Sequence, residues 1–333
     1  MVTRERPTLE AVARRAGVSR ATVSRVVNGS TSVAASIREA VNRAVEELGY
    51  VPNQAARSLV TQRTESIALI LPETANRVFS DDLFFPAIIR GVGGELEAAD
   101  KQLVLMMASS AASHDRIEQY AMAGHVDGVM VASVHGADPL PAALARMGIP
   151  VVCNGRPLGR QSVPYVDVDS VGGAAAAVRH LVSVGRKRIA TIAGPQDMVA
   201  GIDRLNGYLS ALEGAPPLIA YGEFTRASGS AAMRELLATA PDLDAVFAAS
   251  DLTADGALRM LRQAGRRVPD DVAVIGFDDN VVAAFADPPL TTVRQPIQDL
   301  GRGLARQLLR LLDGEDVEDA YMLPTQLVIR ESA

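Results

Sequence analysis

Residues 17–28, GVSRATVSRVVN, carry arginine, small side chains and hydroxyls where a surface helix ordinarily shows Glu and Lys. Wound as a helix from Arg20, the segment gathers Val23, Val26 and Val27 into a narrow apolar arc. Arg20, Ala21, Ser24, Arg25 and Asn28 fall on the opposite arc. The chemistry open to that outer arc is contact with a nucleic-acid duplex. A helix entering a major groove needs small residues where its backbone nears the bases. It needs hydroxyls and guanidinium groups where it meets phosphates and base edges. Arg20 and Ala21, at the helix start, are placed to read bases. Ser19, Thr22, Ser24, Arg25 and Asn28 are placed to hold phosphates, and Arg25 is also long enough to reach a guanine.

Such a face needs a scaffold, and the flanking residues supply one. Thr8 is a side-chain cap for a helix in which Leu9, Val12, Ala13 and Ala16 recur at helical spacing, and it too falls on the presumptive DNA side. Gly17 breaks that helix and Ser19 caps the next, so the gap forces a helix–turn–helix corner. Asn28-Gly29 ends the second helix. A third apolar series, Ile37, Val41, Ala44, Val45 and Leu48, stops at Gly49 and Pro52. Three short helices would share one small core.

The charge distribution agrees. Residues 1–63 hold ten Arg and five Glu, a charge of +5, in a chain of net charge −6, so the remainder carries −11. A basic head on an acidic body suits a nucleic-acid module joined to a part that avoids DNA. At 333 residues the chain is long enough for two or three domains, and 48% hydrophobic residues allow a large core. Cys153 stands alone, which excludes disulfide frameworks and Cys-based zinc sites. The first 20 residues are polar, with no secretory h-region, and runs such as Ile67–Leu71 and Val272–Phe277 are too short to span a bilayer. The expectation is a cytoplasmic protein with no membrane partner.

Enzyme and metal readings find little support. His114, His125, His135 and His180 show no metal-ligand spacing, and neither G-x-S-x-G nor a P-loop occurs. RGVGGELEAAD lacks the dinucleotide spacing. DVDSVG (167–172) begins like a calcium loop but lacks its downstream Glu. No enzyme, cofactor or metal is expected.

From Ser66 the chain alternates short apolar runs with helical patterns. The runs are 66–73, 102–109, 126–133, 150–155, 165–170, 188–194, 245–250 and 272–279. Several are near-continuous, as in parallel strands covered on both faces. Repeating β-α units read as doubly wound parallel sheets, and there are too many for one sheet. Two lobes are expected, dividing near 155–164, with the chain recrossing near 290–296 and 320–324. ASD (249–251) and GFDD (276–279) put polar residues at strand ends, where ligand crevices form in such folds.

Together, RPTLEAVARRAGVSRATVSRVVNG and ELGYVPNQAARSL resemble the DNA-binding headpiece and hinge of the LacI/GalR (lactose-repressor) family. GRKRIATIAGP, DRLNGY, ASDLTADGAL, VIGFDDN and PPLTTVRQP extend the likeness to that family's periplasmic-binding-protein-like sensor half. The resemblance implies a headpiece at 1–52, a hinge helix and linker at 53–63, and an effector-binding, dimerising core at 64–333. Asn53 would cap the hinge helix. Ala55, Ala56 and Leu59 would form its smooth face, with Leu59 as the minor-groove wedge, unless it is an ordinary linker residue. Ala34 departs from the pattern, standing where the family often has a capping Ser; Ser32 or Ser36 would have to substitute.

Carried onto the core, the resemblance makes Phe84 and Phe224 ligand-facing aromatics and Arg204 the group that grips ligand oxygens. It also makes Ser250, Asp278 and Gln295 polar lining, with Glu73 and Arg156 as weaker candidates. Plainer roles stay open: core packing for Phe84, a helix cap for Asp278, a solvated face for Arg204. YVDVDSVGG and IAGPQDMVAGIDRLNGY resemble regulators of β-glucoside or cello-oligosaccharide uptake. The implied protein is a homodimeric repressor on a pseudo-palindromic operator, controlled by a mono- or disaccharide. Lobe closure on the sugar would change the spacing of the hinges. Helix 253–264 and the stretch 86–98 are the expected dimer contacts, and no heptad tail follows Leu327 to build a coiled-coil tetramer. A purine ligand, or a solute-binding protein of the same fold, are the alternatives; the latter would need an export signal and no basic head.

Overall fold

A computed structural model describes residues 7–27, 30, 32–51, 63–159, 163–212 and 214–333. Residues 1–64 and 65–333 form two compact units. In the first, α1 (Leu9–Ala16) starts where the Ala11 N–H donates to the Thr8 hydroxyl at 3.3 Å. It stops at Gly17, whose φ of 68° suits a residue without Cβ. The Thr22 N–H donates to Ser19 Oγ at 3.1 Å, so α2 (Arg20–Val27) begins at the expected cap. The third helix, α3 (Ala35–Leu48), has Ala34 at its N-cap and no side-chain cap there. Val12, Val23, Val26, Val41 and Ala44 pack into one core with Val33 and Tyr50. Ile37, expected inside, is 37% exposed because it lies on the outer side of α3's first turn.

The second unit holds two lobes, each built on a sheet of six strands among the described residues. The first lobe's sheet comprises β1 (Ser66–Leu71), β2 (Gln102–Met107), β3 (Gly128–Val131), β4 (Val151–Asn154), β5 (Tyr165–Val168) and β11 (Ala320–Leu323), in the order β11-β5-β4-β3-β1-β2. Short α4 (Ala75–Val78) follows β1. Helix α5 (Phe84–Ala98) and α13 (Ile297–Leu312) cover one face, and α6 (Ala111–Met122) and α7 (Leu140–Arg146) lie on the other. The second sheet comprises β6 (Ile189–Ala193), β7 (Leu218–Tyr221), β8 (Ala245–Ala248), β9 (Ala273–Asp278), β10 (Thr291–Arg294) and β12 (Gln326–Val328), in the order β12-β10-β9-β8-β6-β7. Helices α8 (Ser170–Ser183) and α9 (Val199–Ser210) pack on one face. Helices α10 (Arg226–Thr239) and α11 (Asp251–Gln263) pack on the other, with short α12 (Val281–Phe285) beyond. All pairings are parallel except β10 with β12. Strands β3, β6 and β8 are buried from end to end, which explains their near-continuous apolar sequences, broken only by Thr191 in β6. Burying each large aliphatic side chain there contributes about 1.5–3 kcal/mol.

The chain first crosses between lobes after Val168, later than the expected 155–164. Residues 165–168 pair with β4 and β11, so β5 belongs to the first lobe. The second crossing separates Arg294 from Ile297, and the third separates Leu323 from Gln326.

Candidate functional site

On the headpiece, Ser19, Arg20, Ala21 and Arg25 are exposed, while Thr22 and Ser24 are half-buried. The Ser19 and Thr22 hydroxyls are hydrogen-bonded at 2.8 Å, at an N-terminus whose partial positive charge favours phosphate. The Arg20 Nε lies 3.1 Å from a Glu10 carboxylate oxygen, a contact that ties the outermost side chain of α2 to α1. Asn28, Asn53 and Leu59 lie outside the described residues. At α3, Ser32 bonds the Ser30 hydroxyl at 2.8 Å rather than the helix end.

In the second unit, the carboxyl ends of the strands of both lobes face a shared cleft with a free volume of about 90 Å³. Arg204, from α9, is 5% exposed. Its Nη1 donates to the Ala249 carbonyl at 2.6 Å and lies 3.5 Å from Asp278 Oδ1. Its guanidinium carbon sits 3.8 Å from the Phe277 ring centre and 5.5 Å from that of Phe224. Burial lowers the Arg204 pKa, opposed by the charges of Asp278, Asp167, Asp251 and Asp82. Its Nε is buried without a hydrogen-bond partner among the described residues.

Asp278 ends β9 in a left-handed conformation, φ 117°, followed by Asp279 at φ 55°. Each such residue costs about 1–3 kcal/mol and persists only where surroundings over-determine it. Here they do. Asp279 receives Arg294 Nε at 2.6 Å and Arg330 Nη2 at 2.5 Å, while the Gln295 amide donates to Asp278 Oδ1 at 2.5 Å. Arg294 is also the register partner of Asp278 across β9 and β10. Asp251 accepts from the Asn280 N–H at 2.9 Å and the Thr292 hydroxyl at 2.6 Å. Gly276 leaves room for its carboxylate, since a Cβ would collide with Asp251 Oδ1. Burial pushes the Asp278 carboxyl up to about 7 and holds Asp251 well above the carboxylate range.

Phe84, Arg156, Phe224, Ser250 and Gln295 join Arg204 and Asp278 along the cleft. The Ser250 hydroxyl accepts the Thr253 N–H at 3.2 Å, so it caps α11 as well as lining the cleft. Phe224 takes φ 53°, and its ring lies where a side chain on Gly194 would stand. Glu73 is not in the wall. Its Oε1 lies 3.1 Å from His135 Nε2 and accepts the Ser133 hydroxyl at 3.0 Å. His135 Nδ1 reaches Asp197 of the other lobe at 2.9 Å, and Arg156 reaches Asp203 at 3.0 Å, so both lobes are bridged beside the cleft. The hydrogen bond to Glu73, with the one to Asp197, raises the His135 pKa to about 9, which makes this bridge ionic at neutral pH.

Sequence reasoning missed Arg77, Asp82 and Asp167, all of which line the cleft. Asp82 accepts from the Phe84 N–H at 3.1 Å, and Asp167 from the Arg156 N–H at 3.1 Å and the Val168 N–H at 2.8 Å. Burial raises both carboxyls. The polar residues of YVDVDS at a strand end were the available signal for Asp167; Arg77, in the one-turn α4, and Asp82, in the loop after it, carry none. Among the described residues, no group of three or more His, Cys, Asp or Glu could hold a metal, and no helix is long and apolar enough to cross a membrane.

A helix–turn–helix module joined to a two-lobed, hinged sensor with a polar interior cleft defines a ligand-responsive DNA-binding regulator. Residues 8–53 match the model for bacterial regulatory proteins of the lacI family, and residues 178–333 that for a periplasmic binding protein-like domain. The chain is 52% identical over 340 residues to the HTH-type transcriptional regulator CelR of Thermobifida fusca, covering 100% of both. It is 33% identical to the HTH-type transcriptional repressor CytR of Escherichia coli K12, covering 98% of this chain and 96% of that one. Among solved structures, a CelR–cellobiose complex matches at TM-score 0.78 and 50% identity, covering 98% of this chain and 100% of that one. A lac repressor dimer bound to operator and the anti-inducer ONPF matches at TM-score 0.88 and 28% identity, covering 98% and 99%. The chain belongs to the lacI family of bacterial regulatory proteins and is a DNA-binding transcriptional regulator.

Proposed function

We propose that this protein is a cytoplasmic homodimeric repressor whose grip on a pseudo-palindromic operator is set by a neutral disaccharide of β-linked glucose in the cleft. The headpiece is residues 1–52, the hinge 53–63 and the core 64–333. Ser19, Arg20, Ala21, Thr22, Ser24 and Arg25 meet the duplex, with Thr8, Asn28, Asn53 and Leu59 as further contacts. The outward residues of α5 and α11, such as Arg90 and Arg259, stand where the partner subunit would meet the core.

The observation that carries the ligand's class is the charge pairing of the cleft. Arg204 faces Asp278, Arg156 faces Asp203, and Arg77 lies 3.6 Å from Asp82. Among the described residues of the wall, no cation is left over for a phosphate or carboxylate. What remains is a set of carboxylate and amide acceptors with guanidinium donors beside aromatic faces, which suits vicinal hydroxyls. A purine edge presents too few donors to satisfy those carboxylates. The match to a protein solved with cellobiose supports a β-linked glucose disaccharide in particular.

Both lobes contribute to the wall, so a bound sugar favours one lobe arrangement. Moving the population from 1:99 to 99:1 requires about 5.5 kcal/mol of differential affinity, which several hydrogen bonds made only in one arrangement can supply. Calorimetry with glucose, cellobiose and adenine tests the reading, beside operator band shifts with and without each. Cellobiose should bind, change the shift, and lose at least about 30-fold in affinity in Arg204→Ala, since truncating one partner of a buried, hydrogen-bonded charge pair at a binding site costs about 2–5 kcal/mol. Adenine binding in place of cellobiose, or undiminished affinity in both Arg204→Ala and Asp278→Ala, would sink it.

A further inference from the structure

Outside the cleft lies a second hollow of about 280 Å³. It sits between Ser80–Asp82 of the first lobe and Phe224–Ala227 of the second. Arg77, Asp82, Phe224 and Leu252 border both spaces, so the two are neighbours across one shared wall. We infer that the outer hollow is a subsite for the next pyranose unit of a neutral β-linked gluco-oligosaccharide, so that a trisaccharide binds better than a disaccharide. This rests on the saccharide reading above.

The shared wall has the chemistry a pyranose needs. The Phe224 ring, which lines both spaces, offers an apolar face to ring C–H groups. Arg77 donates through Nη1 to the Glu223 carbonyl at 3.0 Å, while its buried Nε has no partner among the described residues. Asp82 accepts one backbone N–H at 3.1 Å and keeps acceptor capacity on its other oxygen, which lies 3.6 Å from Arg77. A donor and an acceptor beside an aromatic face are thus present on the outer side as on the inner.

Arg226 reaches back to Asp255 of its own lobe at 2.6 Å and across to Asp81 of the other. That bridge borders the hollow and pairs its remaining cation, so the subsite favours a neutral chain end. Ser80 and Ala227, both small and exposed, line this hollow and not the inner cleft. They leave the space that a ring would fill.

Ala227 is therefore the residue to enlarge. It lies in the first turn of α10 on the solvent side, where Phe is accommodated without touching the core. Titration calorimetry compares cellobiose and cellotriose on the full chain, as wild type, Ala227→Phe and Ser80→Phe. The wild type should bind cellotriose about tenfold more tightly than cellobiose, and each variant should erase that gain while holding cellobiose affinity within about twofold. Equal affinity for the two saccharides in the wild type overturns the inference, as does a variant that weakens both alike. Should cellobiose itself fail to bind a preparation that still shifts operator DNA, the effector reading falls first and this one with it. If cellobiose binds and cellotriose gains nothing, only the outer subsite is lost.

Discussion

The headpiece and the cleft use the same functional groups in opposite solvents. Arg20 on α2 has a side chain 71% exposed and leans on a Glu10 that is also largely in water. Arg204 has a side chain 6% exposed, stacked on Phe277 and ringed by carboxylates whose pKa values burial has raised. An ion pair in water contributes at most about 1 kcal/mol, so Arg20 can exchange Glu10 for a phosphate or base at little cost. A desolvated guanidinium has no such freedom, because losing its partners costs several kcal/mol. The first arrangement suits a surface that must find DNA and leave it. The second suits a cleft that must hold one neutral ligand in one orientation.

Salt separates the two most strongly. Operator affinity depends on counterion release, so a protein contacting six to ten phosphates should lose about 10³–10⁵ in affinity between 50 and 200 mM salt. Saccharide affinity, with no net charge entering a desolvated cleft, should move by less than about twofold over the same range. Filter binding and calorimetry in parallel salt series measure both. A saccharide affinity as steep in salt as that for DNA would abolish the contrast. On the headpiece, Arg20→Ala should relax base preference by about 1–3 kcal/mol per half-site and leave saccharide affinity unchanged.

A smaller effect probes how the cleft is held. Asp278 and Asp279 both sit at positive φ, and Arg294 and Arg330 fix Asp279 from behind. Arg330→Gln should release that turn and weaken saccharide binding about tenfold, in line with the roughly 1–3 kcal/mol that such strain stores. Arg330→Lys should recover part of it. The competing outcome is a lowered melting temperature with unaltered saccharide affinity, which would make Arg330 a strut of the second lobe and nothing more.

Local signals and long-range pairing divide what the sequence makes legible. Thr8, Gly17 and Ser19 act within four residues of themselves, and each caps or breaks its helix as its chemistry dictates. Strands covered on both faces were plain as apolar runs. Strands β7, β10, β11 and β12 were not, being three or four residues long and polar, or at sheet edges. The first lobe boundary was misplaced because β5 reveals its lobe only through its pairing with β4 on one side and with β11, some 150 residues later, on the other. The same divide runs through the cleft. Arg204, Ser250, Asp278 and Gln295 lie in recognisable motifs and converge on one wall, whereas Arg77 and Asp82 acquire meaning only when the second lobe folds over them. Glu73 was drawn into the bridge with His135 and Asp197 rather than the cleft, two contacts each spanning 62 residues that no local pattern announces.

Proton linkage gives the smallest and most discriminating effect. Burial, with Asp82 nearby, pushes the Asp278 carboxyl up to about 7 against the pull of Arg204 and the Gln295 amide. Between roughly pH 4 and pH 7 the folded protein therefore holds a proton that the unfolded chain has released, so Asp278 subtracts stability as pH rises through that window. A sugar hydroxyl donating to Asp278 favours the carboxylate, so binding expels the proton and affinity climbs as pH rises through about 7. The two slopes have opposite signs. Calorimetry from about pH 6 to pH 8 should show saccharide affinity increasing a few-fold while the ligand-free melting temperature drifts down or stays level. Asp278→Asn should flatten the affinity profile, and operator binding by the ligand-free protein should not follow it. An affinity that falls with rising pH would mean the ligand accepts from a protonated Asp278, and the donor and acceptor roles assigned across the cleft would have to be exchanged.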